Sequence, residues 1–172
     1  FADYYLHRSD MTFDFSKDNE IIIHSNVAEP WKVTVVDTGL NTQTGGRLKR
    51  VQRYIGNETF MLTYGDGVSD VNIKELINFH KENKKTATIT AIQPGGKFGV
   101  LEIDGNQNIT RFAEKVKEDG GWVNGGFMVL EPEIFELIEG DSTILERGPL
   151  EKLAQKGELF AYKHPGFWQC MD

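Results

Sequence analysis

Asp66 stands between two glycines at the end of an apolar run, residues 59–64, and is the side chain in this sequence best placed to do chemistry. A short run rich in β-branched and aromatic residues reads as a buried strand, which puts the carboxylate at the strand's carboxyl end. In open α/β sheets, ligands bind in the crevice outside those ends. Gly65 and Gly67 would let the backbone turn sharply and approach a ligand with no Cβ in the way. A carboxylate there suits Mg²⁺, which takes oxygen ligands and often bridges one or two carboxylates to substrate phosphates. The same residues also make an ordinary Asp-Gly turn. They do not make an EF-hand, because a loop starting at Asp66 has Val71 where the glycine belongs and Ile77 where the bidentate Glu belongs.

Three further clusters carry polar groups at the ends of elements. Thr44-Gly45-Gly46-Arg47 opens a helical pattern of Leu48, Val51, Tyr54 and Ile55 that stops at Gly56. Free backbone N–H groups at that helix start, with the Arg47 guanidinium, would suit an anion or a nucleotide; Thr-Gly is equally a common helix entry. It is not a P-loop, since the Gly-Lys-Ser/Thr ending is missing. Glu114-Lys115-Val116-Lys117 closes the second arm of a hairpin. It offers a carboxylate for sugar hydroxyls beside an ammonium for a phosphate, or an edge strand blunted by lysine. Asn124-Gly125-Gly126 interrupts a strand and leaves either a bare wall for a close ligand or a β-bulge. His80 reads as a helix-face residue, Cys170 as a small hydrophobe and the aromatic residues of 164–169 as packing, and none of these is assigned chemistry.

The scaffold that must position these residues is an alternation of strands and helices. Residues 21–24 and 32–36 are β-branched runs that read as strands. The strand before Asp66, a helix with Asn72 and Glu75 at capping spacing and a face of Ile73, Leu76, Ile77 and His80, and a strand over 86–92 follow one another as in a parallel sheet. Next come a hairpin turning at Asp104-Gly105-Asn106, a strand over 122–130, a helix opened by Pro132, a helix over 149–156 stopped by Gly157, and a strand over 159–162. At 172 residues the chain has the size of one domain, and residues 1–172 read as a single one.

A formal net charge of -7 and a pI near 5.1 argue against a broad nucleic-acid or anionic-membrane surface. Any phosphate must therefore meet a local cluster or a metal. The single cysteine excludes an internal disulfide and fits a reducing compartment. No stretch approaches the roughly 18 to 20 apolar residues of a membrane span, and no secretory signal is recognisable. The chain starts at Phe1, without methionine and within what reads as a helix end, and so reads as a piece of a longer protein.

Taken in order, Thr44 to Arg47, Thr63-Tyr64-Gly65-Asp66-Gly67-Val68, Phe98-Gly99, Glu114-Lys115, Asn124 to Phe127 and His164-Pro165-Gly166-Phe167-Trp168-Gln169 with Met171-Asp172 resemble the sugar-phosphate nucleotidyltransferases, and among them the glucose-1-phosphate cytidylyltransferases. The likeness runs along nearly the whole chain. It implies an α/β fold, a Rossmann-like three-layer α/β/α arrangement with a mixed, mainly parallel sheet. It implies transfer of a cytidylyl group from CTP to α-D-glucose 1-phosphate, with release of pyrophosphate and no covalent enzyme intermediate. Asp66 and Asp172 would then hold Mg²⁺. Thr44, Gly45, Gly46, Arg47 and Gly65 would meet the nucleotide, and Gly99, Glu114, Lys115, Asn124 and Gly125 the sugar phosphate, with Asp66, Lys115 and Arg47 as the catalytic set. A homo-oligomer in the cytoplasm, serving surface-polysaccharide synthesis, is the implied setting.

Two departures from the family pattern are visible: Val116 where the family has Pro, and no counterpart of its amino-terminal strand and glycine-rich loop. These residues alone are accordingly expected to lack turnover and to fold poorly. The rival readings are a relative using UTP, dTTP or GTP, a sugar-phosphate or nucleotide-binding module without catalysis, and a structural α/β domain.

Overall fold

The computed structural model describes residues 3–93, 100–113 and 121–171. Gly99, Glu114, Lys115 and Asp172 lie outside the described residues. The chain packs as two compact units, Phe1–Asp37 and Thr38–Asp172.

The first unit holds α1 (Tyr4–His7) and an antiparallel hairpin of β1 (Ser9–Asp14) and β2 (Glu20–Asn26). Met11 stands opposite Ile23, and Phe13 opposite Ile21. None of its three elements buries a residue, and Phe13, Ile21, Ile22 and Ile23 are exposed. The run 32–36, expected as a strand, has no regular structure. A β-branched run becomes a strand only where a neighbour takes up its N–H and C=O groups, and among the described residues no strand pairs with it.

The second unit comprises α2 (Thr44–Ile55), β3 (Phe60–Leu62), β4 (Gly67–Ser69), α3 (Ile73–Asn83), β5 (Ala87–Ile92), β6 (Val100–Ile103), β7 (Ile109–Ala113), β8 (Trp122–Leu130), a 3₁₀ turn η1 (Pro132–Leu137), α4 (Pro149–Gln155), β9 (Leu159–Lys163) and β10 (Trp168–Cys170). The helix expected after Pro132 is thus 3₁₀ rather than α. The expected start of α3 is present: the Asn72 side chain accepts the N–H groups of Lys74 and Glu75 at 3.1 and 3.2 Å.

Six strands form the main sheet, in the order β7-β6-β8-β5-β9 with β3 also on β8. The sheet is mixed, but most adjacent pairs are antiparallel; among the described strands only β5 and β9 pair in parallel. The parallel character lies instead in strand direction. β3 and β5 both run opposite to β8, which is inserted between them, so the β3-α3-β5 alternation was read correctly in direction and not in adjacency. Because β5 takes one edge of β8, β3 and β6 share the other, at Met128–Leu130 and Trp122–Val123 respectively. Among the described residues no strand pairs with 124–127 on that edge.

Alternate residues of β5 face two different layers. Ala87, Ile89 and Ala91 pack in a core with Leu48 of α2, Ile134 and Phe135 of η1, and Leu150 and Leu153 of α4. Thr88 faces the other way and meets His80 of α3. That is the three-layer arrangement, and each large aliphatic side chain buried in it contributes about 1.5–3 kcal/mol relative to exposure. His80 is only 1% exposed. Its Nδ1 lies 2.8 Å from the Thr88 hydroxyl and its Nε2 2.9 Å from Glu131 Oε1, while Thr59 Oγ1 donates to Glu131 Oε2 at 2.8 Å. The network satisfies a buried imidazole and ties α3, β5 and the far ends of β3 and β8 together.

Candidate active site

The site forms where β3 leaves β8. Residues 63–66 carry the chain from β3 to β4, which pairs with β10: Gly67 opposite Cys170, Val68 opposite Gln169, Ser69 opposite Trp168. The ladder continues as Met171 N–H donates to the Asp66 carbonyl at 2.8 Å, and the Cys170 thiol donates to Asp66 Oδ2 at 3.4 Å. Asp66 is thereby held against the segment that leads to Asp172. Several bonds fix that segment. Trp168 Nε1 donates to the Gly125 carbonyl at 2.8 Å, Ser69 Oγ to the Phe167 carbonyl at 2.8 Å, and His164 Nε2 lies 2.8 Å from Asp70 Oδ1.

The glycines around Asp66 are not needed for a left-handed turn. Neither is among the glycines with positive φ, so no turn demands them. A Cβ at Gly65 would meet nothing within 4 Å, so it faces open space beside Asp66, whereas Gly67 lies near Trp168 and the Gly125 carbonyl. Open space at Gly65 accords with the close approach of a ligand.

At the start of α2 the expectation of free N–H groups is not met. Gly45 and Gly46 donate to the Thr143 carbonyl at 2.9 and 3.2 Å, and Gln43 donates to the Asp141 carbonyl at 2.8 Å. A Cβ at Gly46 would lie 2.6 Å from the Asp141 backbone, and one at Gly45 2.8 Å from the Thr143 carbonyl. The paired glycines therefore let the helix end dock on residues 141–143, and the N–H groups are used in that contact. Arg47 is likewise engaged: Nη1 donates to Thr38 Oγ1 at 2.7 Å and Nη2 to the Leu40 carbonyl at 3.1 Å. It ties the preceding loop to the helix. Thr44 remains exposed, and its hydroxyl donates to Glu146 Oε2 at 2.7 Å while accepting from Leu145 N–H at 2.9 Å.

Glu146 also accepts from the Tyr64 hydroxyl. Asn124 Nδ2 donates to that hydroxyl at 3.3 Å, and Asn124 Oδ1 accepts from Gly126 N–H at 2.9 Å. Gly126 has φ +81°, and a Cβ there would come within 2.7 Å of Tyr64 Cδ2. Both the bare wall and the bulge read from Asn124-Gly125-Gly126 are thus present: the register with β5 slips between Ile89 and Ala91, and the freed space takes the tyrosine ring. Burial, reinforced by the Glu146 carboxylate, pushes the Tyr64 phenol far above its ordinary value and keeps it a hydrogen-bond donor.

Of the residues singled out in the sequence, the structure links Thr44 to Asn124 through Glu146 and Tyr64, and Gly125 through Trp168 to the β4–β10 pair beside Asp66. Sequence reasoning assigned no role to those three connecting residues. A phenol beside the Asp66 glycine turn was a visible signal; Glu146, in an irregular segment, carries none. Gly99, Glu114, Lys115 and Asp172 are outside the described residues. Among the described residues no group of three or more His, Cys, Asp or Glu side chains forms a metal cage, and no helix is long and apolar enough to cross a membrane.

The sequence model of the nucleotidyl transferase family matches residues 18–166, and the chain belongs to that family. It is 53% identical, over 100% of its length, to a glucose-1-phosphate cytidylyltransferase of Salmonella typhi, and 40% identical to a probable glucose-1-phosphate cytidylyltransferase of Bacillus subtilis. It spans 66% of the length of each of these relatives. In fold it is similar to the crystal structure of HddC from Yersinia pseudotuberculosis, with a TM-score of 0.64 at 20% identity, over 77% of this chain and 58% of that one.

Proposed function

We propose that the protein bearing this chain joins CTP and α-D-glucose 1-phosphate to give CDP-glucose and pyrophosphate. The observation that carries the reading is the 53% identity, sustained over the whole chain, to an enzyme named for that reaction. Thr44 would serve the nucleotide and Asn124 and Gly125 the sugar phosphate, and the bonds through Glu146 and Tyr64 that join Thr44 to Asn124 support that reading.

The attacking phosphate is already ionised at neutral pH, so the work is alignment of two polyanions and compensation of their charge. The Asp66 carboxylate offers hard oxygen donors, and a single thiol at 3.4 Å leaves it acceptor capacity. Asp66 and Asp172 would hold Mg²⁺, which when bound supplies charge compensation for the triphosphate. Lys115 would meet the sugar phosphate's charge and Glu114 its hydroxyls, with Gly99 lining that pocket. Arg47, bound to Thr38 and Leu40, would serve the nucleotide by holding the 38–40 loop in place, and Gly45 and Gly46 by letting α2 dock. A homo-oligomer in the cytoplasm completes the proposal.

The test is pyrophosphate release by the full-length protein with Mg²⁺, glucose 1-phosphate and each nucleoside triphosphate in turn. Release with CTP alone is expected. Release with GTP, UTP or dTTP instead of CTP would overturn the base preference, and release with none would overturn the enzyme reading.

A further inference from the structure

Glu146 lies in the irregular segment before α4, yet its two carboxylate oxygens reach two residues remote from it in sequence, Thr44 of α2 and Tyr64 of the segment leading to β4. Oε2 accepts from Thr44 Oγ1 at 2.7 Å, and Oε1 accepts from the Tyr64 hydroxyl. Each partner is itself fixed. Thr44 Oγ1 is held by Leu145 N–H at 2.9 Å; the Tyr64 hydroxyl takes Asn124 Nδ2 at 3.3 Å, and Asn124 is locked through Gly126 N–H at 2.9 Å. An unbroken chain of hydrogen bonds therefore runs Thr44, Glu146, Tyr64, Asn124. Its ends are the residue read for the nucleotide and the residue read for the sugar phosphate. Chains of this kind, partly shielded from water, transmit a change at one end to the other more strongly than separate bonds do.

We propose that Glu146 is a positioning residue that couples the two substrate pockets, fixing Thr44 and, through Tyr64, Asn124 in the rotamers that receive nucleotide and sugar phosphate together. This rests on the nucleotidyl-transfer reading. A change at Thr44 then alters the affinity for the sugar phosphate only while Glu146 is present to carry it.

The experiment is a double-mutant cycle in the full-length protein, reading KM for CTP and for glucose 1-phosphate separately. In the wild-type background, Thr44→Val is expected to raise the KM for glucose 1-phosphate about fivefold. In the Glu146→Ala background the same substitution is expected to leave that KM unchanged. An equal rise in both backgrounds, or no rise in either, overturns the coupling. A purely structural role for Glu146 would move the thermal midpoint and leave the two substitutions additive, which also overturns it. If Glu146→Ala does not fold, Glu146→Met, which keeps much of the volume and can hold neither hydroxyl as the carboxylate does, takes its place with the same expectations. Failure of the functional reading is seen separately, as absence of pyrophosphate release by the wild type. Failure of the coupling is seen as an additive cycle in an active wild type.

Discussion

Two polar networks built from similar parts stand at opposite ends of the β3–β8 pair. At one end Glu131 accepts from Thr59 and meets His80, which also meets Thr88; at the other Glu146 accepts from Thr44 and from Tyr64, which also takes Asn124. The first runs inward from exposed Thr59 to an imidazole that is 1% exposed. The second opens outward: Thr44 is exposed and Gly65 faces open space. The contrast shows what turns a polar network into a site. A glutamate with two donors is a brace where its bonds lead to a buried imidazole, and a positioning device where they lead to an exposed threonine.

Substitutions in the two networks should therefore separate stability from function. The largest effect is expected at the open end, where Asp66→Asn in the full-length protein should lower kcat on the order of a thousandfold with the thermal midpoint little changed. A midpoint that collapses with the rate would reduce Asp66 to a structural residue. At the closed end, His80→Ala should destabilise by about 3 kcal/mol, because it opens a cavity and leaves Glu131 and Thr88 without their partner. Urea unfolding measures this, and the KM values of the folded fraction should stay put. Gly126→Ala should cost about 1–3 kcal/mol and also raise the KM for glucose 1-phosphate, since the φ of +81° is strained for alanine and its Cβ would displace Tyr64.

The phenol gives a pH signature confined to the open network. Tyr64 is raised in the folded state above its ordinary 10.0, so the unfolded chain loses that proton first. Stability should fall as pH rises beyond about 10, and Tyr64→Phe should remove that part of the fall in alkaline unfolding curves. The smallest effect is expected for Thr59→Val, which removes one exposed hydroxyl from the closed network and should cost about 0.5 kcal/mol. A larger loss there would mean that the closed network depends on its rim.

Much of this architecture was legible locally. Apolar periodicity with Asn72 at its head and Gly56 or Gly157 at an end gave α2, α3 and α4, and continuous apolar runs gave β5, β8 and β9. A carboxylate at a strand end and paired glycines inside a strand pointed to the crevice. Such patterns reflect forces acting within a few residues: backbone capping, side-chain period and the cost of a Cβ at positive φ.

What depended on partners distant in the chain was not legible. The run 32–36 has a strand's composition and no strand beside it among the described residues, while β4 and β10, only three residues each, became strands by finding each other. Gly45 and Gly46 looked like an anion cradle and proved to be a docking surface for residues 141–143. Glu146 meets Thr44 across 102 positions and Tyr64 across 82. Residue type and spacing alone thus determined which helices and buried strands form and which carboxylate follows a strand end. Tertiary structure decided which N–H groups were already taken, which strands were neighbours and which glutamate joined Thr44 to Tyr64, because a hydrogen-bonding group's role is set by the partner that reaches it, and those partners arrive from remote parts of the chain.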